Sequence, residues 1–180
     1  MGKKLITILF ACSYCGVLAL AQYVDPADRL FIRRAAEGGM AEVKLGQLAA
    51  DKASSQSVKD FGQRMAKDHS QANDQLKNMA SSKGVPLPDS LDAKDKALYD
   101  RLSSLSGDAF DKAYMRAMIK DHVEDVAEFQ KESKAANDQD IRSFAFTTLP
   151  TLQDHLHMAR HLGTEVGVAS APLSSRSGDQ

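Results

Sequence analysis

Cysteine is almost missing from this chain, and tryptophan is missing altogether. The two cysteines, Cys12 and Cys15, both fall in an apolar segment at the very start. Beyond it there is no thiol for a disulfide, a thiolate metal site or a cysteine nucleophile. A surplus of positive charge is also lacking. Lysine and arginine number 23 against 24 acidic residues, for a net charge of -1. Gripping a phosphate backbone needs a clustered basic surplus, so nucleic acid is not an expected partner. Aromatics make up only 6% of the residues and prolines number five. Alanine, leucine and lysine are common instead, a balance that leans toward helices.

Long apolar runs are absent except at the start, "MGKKLITILFACSYCGVLALAQ". Lys3 and Lys4 make a positive beginning, Leu5 to Ala21 is apolar, and Ala19-Leu20-Ala21 places small residues where a signal peptidase needs them. Residues 1–21 therefore read as a secretory signal. The alternatives are an uncleaved anchor and lipoprotein processing at Cys12. The expected product is exported, periplasmic or attached to the cell envelope. It has no transmembrane segment after cleavage, and an envelope protein is the expected kind of partner.

From Pro26 onward, apolar residues recur with the helical period. Asp25-Pro26 is a helix start, an aspartate cap with proline at the first helical position. Phe31, Ala35, Gly38, Glu42, Leu45 and Ala49 form the first stripe. After a short polar link, Val58, Phe61, Met65, His69, Ala72, Leu76 and Met79 form the second. "SSKGVPLPDS" ends that helix, and Leu91, Leu98, Leu102 and Leu105 predict a short helix before Gly107. The third stripe is Phe110, Tyr114, Met118, His122 and Phe129. The fourth is Ile141, Phe144, Leu149, Leu152, His155, Ala159 and Leu162, with Pro150 expected to kink its helix.

Short links make the first and last pairs antiparallel hairpins. The link of about 25 residues between the second and third long helices can run back along the bundle. That is the ferritin-like topology: an all-α, four-helix domain over residues 25–163 with one long crossover. Residues 164–180 are small and polar and are expected to be a disordered tail. An offset of 83 brings Asp28 onto Asp111, Phe31 onto Tyr114, Glu42 onto Asp125 and Phe61 onto Phe144. This is the pattern of a duplicated hairpin.

Three of the five histidines follow an aspartate: Asp68-His69, Asp121-His122 and Asp154-His155. Glu42, His69, His122 and His155 each lie mid-helix on an inward stripe, at matching distances from the short links. Such side chains can meet at one level of a bundle, where bundles hold metals. Imidazole suits zinc, copper, iron and nickel, and a carboxylate completes the set. Asp125 shares the face of His122 and is a candidate fifth ligand. Neighbours on a helix point about 100° apart, so the paired aspartates sit at the stripe's edge, either orienting a ring from another helix or solvated. The plainer reading is that the histidines are core residues hydrogen-bonded to neighbouring helices. His157 and His161 form an exposed four-residue pair, and Glu124, Glu128 and Glu132 read as a solvated face.

The segments "DRLFIRRAAEGGMAEVKLGQLA", "VKDFGQRMAKDHSQAN", "GVPLPDSL", "LSGDAFDKAYMRAMIKDHVEDVAEFQ" and "LPTLQDHLHMARHL" occur in that order. Over Asp25 to Leu162 the chain resembles the exported bacterial family catalogued as domain of unknown function 4142, which is ferritin-like. The resemblance implies a four-helix domain outside the cytoplasm and no established activity. The wider ferritin-like class includes di-iron proteins built on Glu-x-x-His. Here Ala66 stands three residues before His69 and Leu152 three before His155, so a di-iron centre is not expected. No nucleophile with a partner and no phosphate-cradling glycine loop is legible, so the expectation leans away from an enzyme. The expected role is a binding or structural, stress-associated module of the envelope. The alternative is a protein holding a single divalent metal ion on Glu42, His69, His122, Asp125 and His155.

Overall fold

The computed structural model describes residues 24–168, which form five helices and no strand. The expected signal peptide, with both cysteines, lies outside the described residues, as do residues 169–180 of the expected tail. The helices are α1 (Pro26–Lys52), α2 (Gln56–Ser82), α3 (Ala93–Ser103), α4 (Gly107–Ala135) and α5 (Gln139–Glu165). None of them is long and apolar enough to cross a membrane. α5 runs past the expected boundary at Gly163, and Val168 beyond it is buried with its N–H on the Gly163 carbonyl.

Local chemistry explains the helix ends. The Asp25 side chain accepts from Ala27 N ahead of Pro26, Asp92 caps α3 through Asp95 N, and Asp138 caps α5 through Asp140 N and Ile141 N. Gly84, at φ 64°, turns the chain out of α2, and Gly107, at φ 59°, turns it into α4. α5 continues through Pro150. The proline is exposed there, and so is Phe146, whose carbonyl is the one that loses its N–H partner.

α1 packs along α2 and α4 along α5; α2 then meets α5, and α1 meets α4. Two buried aspartates join the hairpins end to end. Asp111, at the start of α4, accepts from Ser54 N, Ser54 Oγ and Ser55 N in the α1–α2 link, at 2.8–3.0 Å. Asp28, at the start of α1, accepts from Asn137 N and Asp138 N in the α4–α5 link, at 3.1 and 2.8 Å. Each hairpin's first helix thus grips the other's turn, and the two aspartates are related by the sequence offset of 83. The same contacts place the beginning of α4 at the far end of the bundle from the end of α2. The connection holding α3 therefore travels the bundle's length, lying on α1 and α4.

α1 and α2 approach closely at Gly46 and Gly62. A Cβ on Gly62 would lie 2.7 Å from the Gly46 carbonyl oxygen, and one on Gly46 would lie 2.6 Å from that of Gly62. The apolar core is in two parts. Leu45, Phe61, Met65, Phe110, Tyr114 and Met118 belong to one. Phe31, Leu76, Phe129, Ile141, Phe144 and Leu152 belong to the other. Between them lies a polar layer containing Glu42, His69, His122 and His155.

Two substitutions test this architecture. Asp111→Ala strips three hydrogen bonds to a buried carboxylate and is expected to cost about 3 kcal/mol, read as a drop of about 10 °C in thermal melting followed by circular dichroism. Gly62→Ala drives a methyl into backbone and is expected to cost about 1–3 kcal/mol in urea unfolding.

Candidate metal centre

The helical period puts His69, His122 and His155 on the inner faces of α2, α4 and α5, and packing brings them to one depth. Ring centroids are 5.7 Å apart for His69 and His122, 5.3 Å for His69 and His155, and 5.5 Å for His122 and His155. One nitrogen from each ring lies within 4.8 Å of the others. His122 and His155 are 0% exposed, His69 6% and Glu42 1%, so bulk water does not solvate the group.

Each ring is held by one of its nitrogens. His69 Nδ1 is 2.8 Å from Glu42 Oε2. His122 Nδ1 donates to the Met118 carbonyl at 3.0 Å. A carbonyl only accepts, so the proton of a neutral His122 sits on Nδ1 and its Nε2 is a bare lone pair. His155 Nε2 is 2.9 Å from Asp68 Oδ2 across the α2–α5 interface. Arg64 steadies that aspartate, with Nε 3.2 Å from Asp68 Oδ2 and Nη2 2.6 Å from Asp154 Oδ2.

The remaining atoms are the informative ones. His69 Nε2, His122 Nε2, His155 Nδ1 and Glu42 Oε1 are buried with no hydrogen-bond partner. His122 Nε2 comes within 3.3 Å of Glu42 Oε1, where the ring has no proton to give and only a protonated Glu42 carboxyl could donate. Each buried polar atom left unpaired costs about 1–3 kcal/mol. Four in one layer is a large concession unless something else satisfies them.

A second cluster adjoins the first through Glu42. Oxygens of Glu42, Asp121 and Asp125 lie within 4.8 Å of one another. Burial pushes Glu42 well above the ordinary carboxyl range, and Asp121 beside it adds to the rise. Burial raises Asp121 too, opposed by Lys94 on α3. Burial raises Asp125, reinforced by Glu42 and Asp121. Burial works the other way on the imidazoles, lowering His69 to about 4, His122 to about 3, and His155 as well.

The expected ligands thus separate into two groups. His69, His122 and His155 form one group, and Glu42 and Asp125 belong with Asp121 to the other. Glu42 reaches the rings through His69, at 2.8 Å, and His122, at 3.3 Å. Of the paired aspartates, Asp68 orients His155 from the adjacent helix, and Asp154 is a half-exposed partner of Arg64. Asp121, expected only at the stripe's edge, stands in the carboxylate cluster. Its signal was available in its neighbour: Asp121 is four residues before Asp125, on the same face. His157 and His161 are exposed, and His161 lies 3.3 Å from Glu165. The expected solvated face is solvated only in part. Glu124 is exposed and Glu128 half-buried, but Glu132 is buried and lies 2.6 Å from Lys131.

An all-helical domain crossed by a buried imidazole and carboxylate layer is the class that fold and site define. The model of the family described as "Domain of unknown function (DUF4142)" matches residues 18–162, and the chain belongs to that family. No curated protein matches the sequence. The crystal structure of a DUF305 fragment from Deinococcus radiodurans is similar, with a TM-score of 0.68 and 16% identity, over 78% of this chain and 98% of that one. At that identity the likeness is one of fold.

The protonation state of the layer is testable. The folded imidazoles lie below their ordinary value of 6.5. Their contribution to stability is therefore fully present above pH 6.5 and is lost as pH falls toward about 4 for His69 and about 3 for His122. The carboxyls run in the opposite sense: their raised values favour the fold at low pH, and that contribution is lost as pH rises through them. In the metal-free protein, imidazole nitrogen NMR is expected to show His69 and His122 neutral throughout a titration from pH 7 to 5. The proton of His122 is expected on Nδ1 and that of His155 on Nε2.

Proposed function

We propose that this protein is an exported, ferritin-like four-helix module of the cell envelope that holds one divalent transition-metal ion on His69, His122 and His155, with Glu42 as the carboxylate ligand. The observation that carries the reading is the set of four buried, unpartnered atoms, one from each of these residues. Each ring has its other nitrogen against an oxygen, and for His122 and His155 that oxygen accepts, which fixes the tautomer and leaves a lone pair for an ion, as metal-ligating histidines require. Three imidazoles and a carboxylate suit zinc, cobalt, nickel or copper. Tetrahedral ligands about 2.0–2.1 Å from an ion stand roughly 3.3 Å apart; the three rings, with one nitrogen each within 4.8 Å of the others, close on an ion by side-chain adjustment. The buried setting already keeps the imidazoles neutral, so protons compete weakly for them.

Export rests on the basic start, apolar run and small residues of the first 21 positions. The ferritin-like assignment rests on two hairpins joined by a connection that spans the bundle. A second reading, a structural module whose polar layer is packing alone, draws on the fact that every ring already has one hydrogen bond. The metal content of the protein separates the two. Chelated protein titrated with Co2+ is expected to bind one ion per chain and to develop the intense visible absorption of tetrahedral cobalt. His122→Ala is expected to abolish that spectrum, and Asp68→Asn to weaken binding about 10–100-fold by releasing His155. No cobalt spectrum, with wild-type and His122→Ala protein alike near zero by elemental analysis, would leave only the structural reading.

A further inference from the structure

The imidazole layer is enclosed, so an ion held there has to pass between helices. Two adjoining spaces mark a path. A groove of about 800 Å³ opens between α1, α3 and α4. Lysines and arginines line it beside its acids, so the groove itself does not select a cation. Farther in lies a cavity of about 30 Å³ with His69 and Glu42 in its wall. That is room for one water or one ion. Four residues line both spaces: Arg34 and Gly38 of α1, and Asp125 and Glu128 of α4. They mark the junction between the solvent side and the layer.

Gly38 is a glycine that packing does not require. A Cβ placed on it would meet nothing within 4 Å, whereas one on Gly39 would lie 2.1 Å from Asn73 Oδ1. Inside a helix glycine is less stable than alanine. The missing side chain therefore weakens α1 and leaves open space at the junction. An ion pair stands at the same place and bridges α1 to α4. Arg34 Nη1 is 3.6 Å from Glu128 Oε1, and the two side chains are 58% and 31% exposed. Arg34 is four residues before Gly38, and Glu128 three after Asp125, so each shares a helix face with the other junction residue of its helix. We infer that a divalent transition-metal ion enters and leaves the imidazole layer from the α1–α3–α4 groove, through the gap at Gly38, and that the Arg34–Glu128 ion pair is the gate. This route rests on the imidazole reading proposed above and adds to it how the ion is exchanged. A solvent-exposed ion pair is held weakly, so Arg34 swings aside without the movement of a helix. While paired, its guanidinium repels an arriving cation. Once it leaves, the Glu128 carboxylate is free to attract one.

Stopped-flow mixing of the metal-free 180-residue chain with Co2+, followed at the visible band, reads uptake, and a chase with excess chelator reads release. Gly38→Leu fills the gap and is expected to slow uptake and release alike, each about tenfold or more, with Kd unchanged. Arg34→Ala/Glu128→Ala removes the gate and is expected to speed both by about threefold or more, again with Kd unchanged. A change in the path moves the two rates together, whereas a change in the site moves the affinity. Uptake by Gly38→Leu as fast as wild type, or a shift in its Kd in place of its rates, overturns the inference. The ion pair lies at the surface, so its removal leaves the core alone. Unchanged rates in Arg34→Ala/Glu128→Ala therefore overturn the inference even if Gly38→Leu fails to fold. Failure of the imidazole reading looks different: wild-type protein develops no Co2+ spectrum however long it stands, and the route falls with it.

Discussion

A polar layer divides the apolar core of this bundle, and the rest of the structure is arranged around it. Glu42, His69, His122 and His155 lie between two hydrophobic clusters, one toward the α1–α2 link and one toward the α4–α5 link. Burial drives both kinds of group toward neutrality, raising Glu42 and lowering the imidazoles. The layer is therefore an assembly of uncharged acids and bases with lone pairs facing one another. Hydrogen bonds alone do not complete such an arrangement, because it has more acceptors than protons to share. A cation bound as proposed above would supply what the layer lacks.

The ends of the bundle hold that layer in place. Asp28 and Asp111 each clamp the opposite hairpin's turn, so the two hairpins have little freedom to slide. A slide of one helical turn would move a ring by about 5.4 Å and separate it from its neighbours. The crossing of α1 and α2 at Gly46 and Gly62 fixes a second relationship, one turn from Glu42. Close backbone approach there brings the Glu42 carboxyl within 2.8 Å of His69.

The two halves have diverged where chemistry is carried. The offset that relates Asp28 to Asp111 also relates Glu42 to Asp125, and both of these reach the carboxylate cluster. The same offset sets Gly38-Gly39 against Asp121-His122. The first half has no side chain at the position where the second half supplies an aspartate and an imidazole. At Gly39 the space a Cβ would take is filled by Asn73, whose Oδ1 would lie 2.1 Å from it. A near-symmetrical frame thus carries an asymmetric set of imidazoles, with one ring from the first hairpin and two from the second.

Much of this was legible one helix at a time. Helical period, the Asp25-Pro26 start, the glycine and proline stops and the lengths of the links determined four long helices, a short one in the crossover, and the inward placement of Glu42 and the three histidines. These are properties of neighbours along the chain, and a sequence records them directly. Only the tertiary structure decided that Asp68 serves His155 across the α2–α5 interface, that Asp121 turns toward Glu42, and that Asp28 and Asp111 reach the turns of the opposite hairpins. A residue at the edge of an apolar stripe can rotate toward either flanking helix or toward water. Which way it turns depends on how two helices are rotated about their own axes, and that rotation is set by side chains distant in the sequence packing against each other.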